Sequence, residues 1–260
     1  MNTTPFELSG RHYDLLYSDK NYEAEVDFVI RQLPASCERV LELGSGTGRH
    51  ASILANNGFH VTGVERSNAM LTAARARGAD SRGELAGDLA FFSGDARDVR
   101  LGYTFDAVIS LFHVVSYQTS DEDVVALFAT AEKHLEVGGT FLFDVWYGPA
   151  VIAQKPEVRT RTVADKATKI VRRATPTLDV TRNLVTVVYD FSIVDVASGG
   201  RANLQEEHRL RYFFTDELAE LGSRAGLRLE TVCEWLTGKE PSTESWGVLI
   251  AMTKEPGLHG

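Results

Sequence analysis

Apolar residues gather in two kinds of run along the first 146 positions. Short, nearly continuous runs occur at 39–43 (RVLEL), 60–64 (HVTGV), 89–93 (LAFFS), 105–110 (FDAVIS) and 140–145 (TFLFDV). Runs of this length, bounded by turn residues, suit strands buried on both faces. Between them the apolar positions follow helical spacing. The clearest case is 120–135, where Val124, Leu127, Phe128, Ala131 and Leu135 share one face. Helices are also expected over 48–57, with Asn57-Gly58 as the stop, and from Ser67, a candidate N-cap, to Arg77. Gly138-Gly139 turns the chain into the fifth strand. Strands alternating with helices imply right-handed parallel crossovers and a doubly wound α/β sheet.

The pattern changes after Trp146. Residues 157–214 are rich in Val, Thr, Arg and Tyr, and 184–194 (LVTVVYDFSIV) and 205–214 (QEEHRLRYFF) read as antiparallel strands around the turn Ser198-Gly199-Gly200. This block is expected to be a small antiparallel sheet inserted into the main domain, which comprises 1–156 and 215–260. Thr215 is expected to cap a helix over 216–225, ended by Gly226, before strands at 227–236 and 246–253. With that pair the main sheet has seven strands. A polar loop is expected at 237–245. The first 18 residues contain Phe6, Leu8, Tyr13, Leu15, Leu16 and Tyr17, too apolar for a disordered tail, and are read as a helical lid.

At 260 residues, one large domain or one domain with an insertion is expected. The net charge of -9 argues against a nucleic-acid or anionic-membrane partner, since phosphate neutralisation needs clustered Lys and Arg. No apolar run reaches the ~20 residues that cross a bilayer. The segment 1–10 lacks a basic stretch followed by an apolar one, so no secretory leader is expected. Cys37 and Cys233 form no CxxC pair or metal cluster, which leaves no disulfide framework, no structural metal, and the cytoplasm as the expected compartment.

Three acids then change the picture. Gly44, Gly46 and Gly48 follow the first strand and open a helix with the spacing G-x-G-x-G. Glycines there permit positive φ and close approach of a ligand. A dinucleotide fingerprint, G-x-G-x-x-G, would need its third glycine at Arg49 and fails. Glu42 beside the turn would repel a pyrophosphate and suits a cationic ligand. Glu65 ends the second strand, where a carboxylate can accept both ribose hydroxyls. Asp95 follows the third, where one can accept the amino group of adenine. All three acids fall at successive strand ends, the edge at which open α/β sheets bind ligands.

On these residues the core 39–146 resembles a class I S-adenosylmethionine-dependent methyltransferase with a Rossmann-like sheet. ELGSGTGRH, VTGVERS, SGDARD and FDAVISLFHVVSY are similar to the family's first four motifs, and VGGTFLFDVW to its fifth strand. The resemblance implies S-adenosyl-L-methionine as cofactor, with Gly44, Ser45 and Gly46 at its methionine portion and Glu65 at the ribose. It places Arg66, Met70, Asp95 and Ala96 around the adenine and Leu111 at the sulfonium. HYDLLY, the strand-rich insertion and HRLRYFFTDELAELGSRAGL are similar to small-molecule N-methyltransferases of nucleotide-linked amino sugars. Asp144-Val145-Trp146-Tyr147 departs from the Glu-Pro-Trp-Trp type sequence of those enzymes.

The acceptor side offers fewer signals. His113, just past the fourth strand, is a candidate general base, or a structural histidine under the next helix. Tyr13 and Tyr17, four apart, can face one way and touch cofactor or acceptor, or form a core stripe. Trp146 and Tyr147 are candidate acceptor walls. Arg209 and Arg211 are candidates to face a diphosphate, with Arg172-Arg173 and Arg159/Arg161 as further possibilities. The expected function is methyl transfer to a small polar acceptor, first an amino group on a nucleotide-activated sugar, with O-methylation of a sugar or natural product as the alternative. A nicotinamide dehydrogenase and a non-catalytic cofactor-binding partner are the readings from other classes. No metal is required, and a monomer or a homodimer fits equally.

Overall fold

The computed structural model describes residues 6, 10–80 and 86–255; Leu8 and most of the 1–10 segment lie outside the described residues. Five parallel strands form the core of the sheet: β1 (Arg39–Leu43), β2 (His60–Glu65), β3 (Leu89–Ser93), β4 (Phe105–Ser110) and β5 (Leu135–Tyr147). Every position after the first in β1 and β2 is buried, as parallel strands covered on both faces require. The crossovers between them carry α3 (Arg49–Asn56), α4 (Asn68–Asp80) and α5 (Asp121–His134). Ser67 Oγ accepts from the amide of Met70, and Ser120 Oγ from that of Asp123, so two helices begin on side-chain caps. The sheet runs β3-β2-β1-β4-β5 and continues on the far side of β5 into antiparallel β11 (Gly247–Lys254) and β10 (Leu227–Glu234). The sequence expectation of a mostly parallel α/β fold is met.

Residues 159–213 form an antiparallel meander of β6 (Arg159–Ala164), β7 (Thr168–Asp179), β8 (Leu184–Asp195) and β9 (Arg201–Phe213). β9 joins the main sheet where Trp146 and Tyr147 pair with Tyr212 and Phe213. One edge of β5 is already taken by β11 up to Trp146, and β4 ends opposite Phe143. β9 therefore occupies the edge that β4 vacates. The meander is thereby joined to the main sheet at the carboxyl end of β5.

Three boundaries differ from the sequence expectation. The helix α6 (Gly148–Gln154) follows β5, where no helix was expected; its seven residues carry Pro149 near the start and too little periodicity to register. The helix α7 (Thr215–Arg224) is capped by Phe214, whose amide donates to Glu217, so Thr215 lies inside the helix rather than at its cap. The strand β5 starts at Leu135, five residues before the expected start, with Gly138 at φ 79° as an irregularity within it.

The N-terminal segment forms a short 3-10 turn (Gly10–His12), α1 (Tyr13–Leu16) and α2 (Tyr22–Ile30). Asp14 ties α1 to the glycine turn: its carboxylate accepts from Thr47 Oγ1 at 2.7 Å, Arg49 Nε at 3.0 Å and Arg77 Nη2 at 2.6 Å.

Candidate active site

Between the strand ends, the lid and the meander lies a cavity of about 1280 Å³. Typical small-molecule pockets hold roughly 300–1,000 Å³, so this one has room for a cofactor and an acceptor together. Its wall includes Tyr13, Tyr17, Gly44, Ser45, Gly46, Glu65, Arg66, Met70, Asp95, Ala96, Leu111, His113, Trp146 and Arg209. The fold thus brings together most of the residues singled out from sequence.

The glycine turn has the shape of a ligand cradle. Gly44, Gly46 and Gly48 have φ of 78°, 56° and 76°, the left-handed region that glycine enters without cost. A Cβ at Gly44 would sit 2.7 Å from both methyl groups of Val114, whereas one at Gly46 would meet nothing within 4 Å and would project into open space. Buried polar atoms around the turn remain without hydrogen-bond partners among the described residues: Ser45 Oγ, Tyr22 OH and Glu42 Oε2. Buried polar groups are seldom left unpaired in a finished site. Ser45 and Tyr22 line the cavity, so a polar ligand there would satisfy them. These groups fit the amino and carboxylate ends of S-adenosylmethionine.

The strand-end acids are poised differently from one another. Glu65 accepts from the amide of Gly46 at 2.9 Å and of Ser67 at 2.6 Å, and each of its oxygens keeps a further lone pair. Burial raises its pKa against those bonds. Asp95 is gripped by Arg97, with Nε to Oδ1 at 3.0 Å and Nη2 to Oδ2 at 2.8 Å, and the Arg97 guanidinium is the largest cause holding the carboxyl down at about 2. Glu42 does not line the cavity. It lies below the turn, 3.6 Å from His50 Nδ1, and burial raises its carboxyl to about 8.

His113 lines the main cavity. Its amide donates to both oxygens of Asp144, at 3.1 and 3.2 Å, and its Nδ1 lies 2.6 Å from Asp144 Oδ2. Phe112 and His113 are consecutive non-glycine residues at φ 66° and 64°. Such a pair stores about 1–3 kcal/mol per residue and persists where surrounding contacts fix it. Asp144 is buried and stays ionised: burial pushes its pKa up, but the adjacent His113 and the hydrogen bonds from it bring the balance below the ordinary value. Held through Nδ1 and its backbone, the imidazole has Nε2 left to take a proton. Behind it lies a second cavity of about 380 Å³, which shares Phe112, His113 and Trp246 with the first. Asp144 escaped the sequence reading because it stands 31 positions from His113; only the pairing of β4 with β5 brings them together.

Two sequence candidates turn away from the cavity. Arg211 is 9% exposed and bound by Asp121 at 2.6 Å and by Glu217, tying β9 to the starts of α5 and α7, so it cannot reach a diphosphate. Tyr147 packs on the main hydrophobic core and leaves the wall to Trp146. Alternation explains the pair: next to Trp146 on a strand, Tyr147 faces the opposite way. Arg209 lines the cavity mouth, half held by Glu207 at 3.2 Å. The meander contributes wall residues that the sequence left secondary or unread: Arg159, Arg172 and Tyr189, with Arg172 lying over the rings of Tyr17 and Tyr189.

Tyr13 is buried, which raises its pKa well above the ordinary value. Its ring stands 4.7 Å from that of Tyr17, centroid to centroid, and both rings face Phe112.

Known proteins match this arrangement. A family described as methyltransferase domain matches residues 40–139. The chain is 31% identical to the dTDP-3-amino-3,4,6-trideoxy-alpha-D-glucopyranose N,N-dimethyltransferase of Streptomyces venezuelae, over 84% of this chain and 89% of that protein. It is 25% identical to the dTDP-3-amino-3,6-dideoxy-alpha-D-glucopyranose N,N-dimethyltransferase of Streptomyces fradiae, over 84% and 83%. Among solved structures, Streptomyces venezuelae DesVI superposes with a TM-score of 0.75 at 26% identity, covering 93% of this chain and 96% of that one. CalS10 with bound S-adenosylmethionine, an amino pentose methyltransferase from Micromonospora echinaspora, gives 0.71 at 26% identity, covering 98% and 99%. A glycine turn with acids at the next two strand ends, on this sheet, defines an S-adenosylmethionine-binding α/β domain. The chain belongs to the S-adenosylmethionine-dependent methyltransferases and is an enzyme of that class.

Proposed function

We propose that this methyltransferase N-methylates the amino group of a nucleotide-linked amino sugar, with His113 as proton acceptor. The observation that carries the reading is the His113–Asp144 pair at the boundary between the glycine turn and an arginine-lined acceptor wall. Bound S-adenosylmethionine supplies an electrophilic methyl group on a positively charged sulfur. Ser45, Gly46 and Glu65 hold the methionine and ribose portions, and Met70, Asp95 and Ala96 flank the adenine. Leu111 and Phe112 exclude water from the reacting centre. His113 Nε2 accepts the proton that an ammonium sheds before its nitrogen can attack, and ionised Asp144 stabilises the resulting imidazolium. The smaller cavity behind His113 gives that proton a way out of the site.

Arg159, Arg172 and Arg209 present guanidinium groups on the acceptor side, which suits a diphosphate, and Trp146, Tyr189 and Trp246 supply flat faces for a base or sugar ring. We assign 157–214 as the acceptor cover and 1–156 with 215–260 as the cofactor-binding unit and lid. Two free buried cysteines, Cys37 and Cys233, suit a reducing compartment such as the cytoplasm. The two relatives named above as dTDP-amino sugar N,N-dimethyltransferases support the acceptor class.

The test is incubation with S-adenosylmethionine and dTDP-3-amino-3,6-dideoxy-alpha-D-glucopyranose, beside its 3-hydroxy counterpart, read by mass spectrometry. Methyl groups on the amino compound alone are expected. Methylation of the hydroxy compound instead would replace N- by O-methyl transfer.

A further inference from the structure

A second hydrogen-bonded chain reaches the main cavity from the opposite side and takes no part in the mechanism above. Tyr117 closes the 3-10 turn Val115–Tyr117, four residues past His113, and lines the cavity. Its hydroxyl lies 2.9 Å from Nδ1 of His208 on β9, and His208 Nε2 lies 3.3 Å from Glu206 Oε2 on the same strand. His208 and Glu206 are 3% and 1% exposed. We propose that Tyr117, oriented by His208 and Glu206, is a specificity-determining contact that recognises a hydrogen-bond donor on the acceptor. This rests on the amino-sugar reading and deepens it.

The orientation follows from counting protons. An ionised carboxylate only accepts, so Glu206 draws the ring proton of neutral His208 onto Nε2. Nδ1 then has a bare lone pair, and Tyr117 must donate its only hydrogen to it. The face of the Tyr117 oxygen left to the cavity carries lone pairs alone. It pairs with an amino or hydroxyl N–H or O–H and opposes an ether or carbonyl oxygen, because a buried acceptor facing another acceptor loses its hydrogen bond. Burial holds the phenol neutral, with its pKa well above the ordinary value.

The groups that face this chain are Tyr189 on β8, Arg172 on β7, Tyr17 of the lid and Glu206 itself, with the Phe6 ring packed on both Tyr117 and His208.

The decisive experiment compares wild type, Tyr117→Phe, His208→Gln and the double variant, with dTDP-3-amino-3,6-dideoxy-alpha-D-glucopyranose as acceptor. KM for the sugar is expected to rise about tenfold in Tyr117→Phe, the loss of about one hydrogen bond, with S-adenosylhomocysteine affinity and Tm retained. His208→Gln is expected to do the same, and the double variant no worse than Tyr117→Phe alone, because His208 acts only through Tyr117. An unchanged KM in Tyr117→Phe, or additive effects in the double variant, overturns the proposal. Wild type that neither binds nor methylates the sugar overturns the amino-sugar reading and this inference together, whereas turnover that the variants leave intact overturns this inference alone. Should the variants fail to fold, nitrogen-15 NMR of histidine-labelled wild type replaces them. The sugar is expected to shift the His208 signals when it binds, and unmoved signals in the bound state overturn the proposal.

Discussion

His113, Glu42 and Gly46 each make a different demand on the site, and each can be separated by one substitution. His113→Ala removes the proton acceptor but leaves the glycine turn, so turnover is expected to fall about 10²-fold with cofactor affinity nearly unchanged in calorimetry. Asp144→Asn is expected to lower turnover without raising KM for the cofactor, since Asp144 touches only His113 among the site residues described. At Gly46 a Cβ meets nothing, so the positive φ costs Gly46→Ala only about 1–2 kcal/mol of stability. A weakening of S-adenosylmethionine binding beyond that cost, by titration calorimetry, would report a ligand that needs the space. Glu42 gives a pH signature. Burial raises its folded pKa to about 8, above the ordinary carboxylate value of about 4.3 in an unfolded chain. Between those values the folded chain holds one more proton than the unfolded chain. The stability from the neutral form is thus complete below the unfolded pKa and is lost as pH rises through about 8. The Tm of the ligand-free protein is expected to fall from about pH 6 to pH 9, and Glu42→Gln to flatten the fall. Glu65, raised in the same direction, leaves a residual slope.

The N-terminal helices and the meander both contribute residues to the cavity at the strand ends. Asp14 gathers Thr47, Arg49 and Arg77 from three segments of the cofactor half, and it is the polar fastening of α1 to the glycine turn. A half-exposed network of this kind contributes about 1 kcal/mol, too little to decide folding and enough to alter how firmly α1 is held on the glycine turn. Asp14→Ala is expected to accelerate cofactor dissociation in stopped-flow fluorescence and hydrogen exchange across 10–17, with Tm nearly unchanged. β1, β2 and β4 were legible to within a residue because doubly buried strands need uninterrupted apolar runs; the edge strand β3 was legible from its short LAFFS run, although only Phe91 in it is buried. β6 and β7 were not resolved individually, because their Arg/Thr-rich alternation leaves one face in water and resembles polar loop. Asp144 was unreadable as a partner for His113, because that contact depends on register between strands and not on spacing along the chain.

Over the whole molecule, the net negative charge opposes the diphosphate-bearing acceptor proposed above unless it is offset locally. The chain carries a net charge of -9, yet Arg159, Arg172 and Arg209 converge at one cavity wall. Their attraction for a diphosphate acts over about one Debye length, roughly 8 Å at physiological salt. KM for the nucleotide-linked sugar is expected to rise several-fold between ~0.05 and ~0.5 M sodium chloride, while KM for S-adenosylmethionine changes less; equal shifts would remove the arginines from acceptor binding. The sequence by itself determined the order of strands and helices from β1 to β5, and with it the gathering of Gly44, Glu65 and Asp95 at one sheet edge. Local periodicity dictates each element, and the right-handed crossover leaves little choice in joining them. Only the tertiary structure decided which side chains face the acceptor. β9 takes the edge of β5 beyond the end of β4, and that single pairing turns Arg211 into an ion pair with Asp121 and Glu217 and sends Tyr147 to the core. The same strand carries His208, whose ring nitrogen meets the Tyr117 hydroxyl from 91 positions along the chain. A half-buried strand has two faces, and which one meets the site depends on its partner strand, a contact that no local pattern encodes.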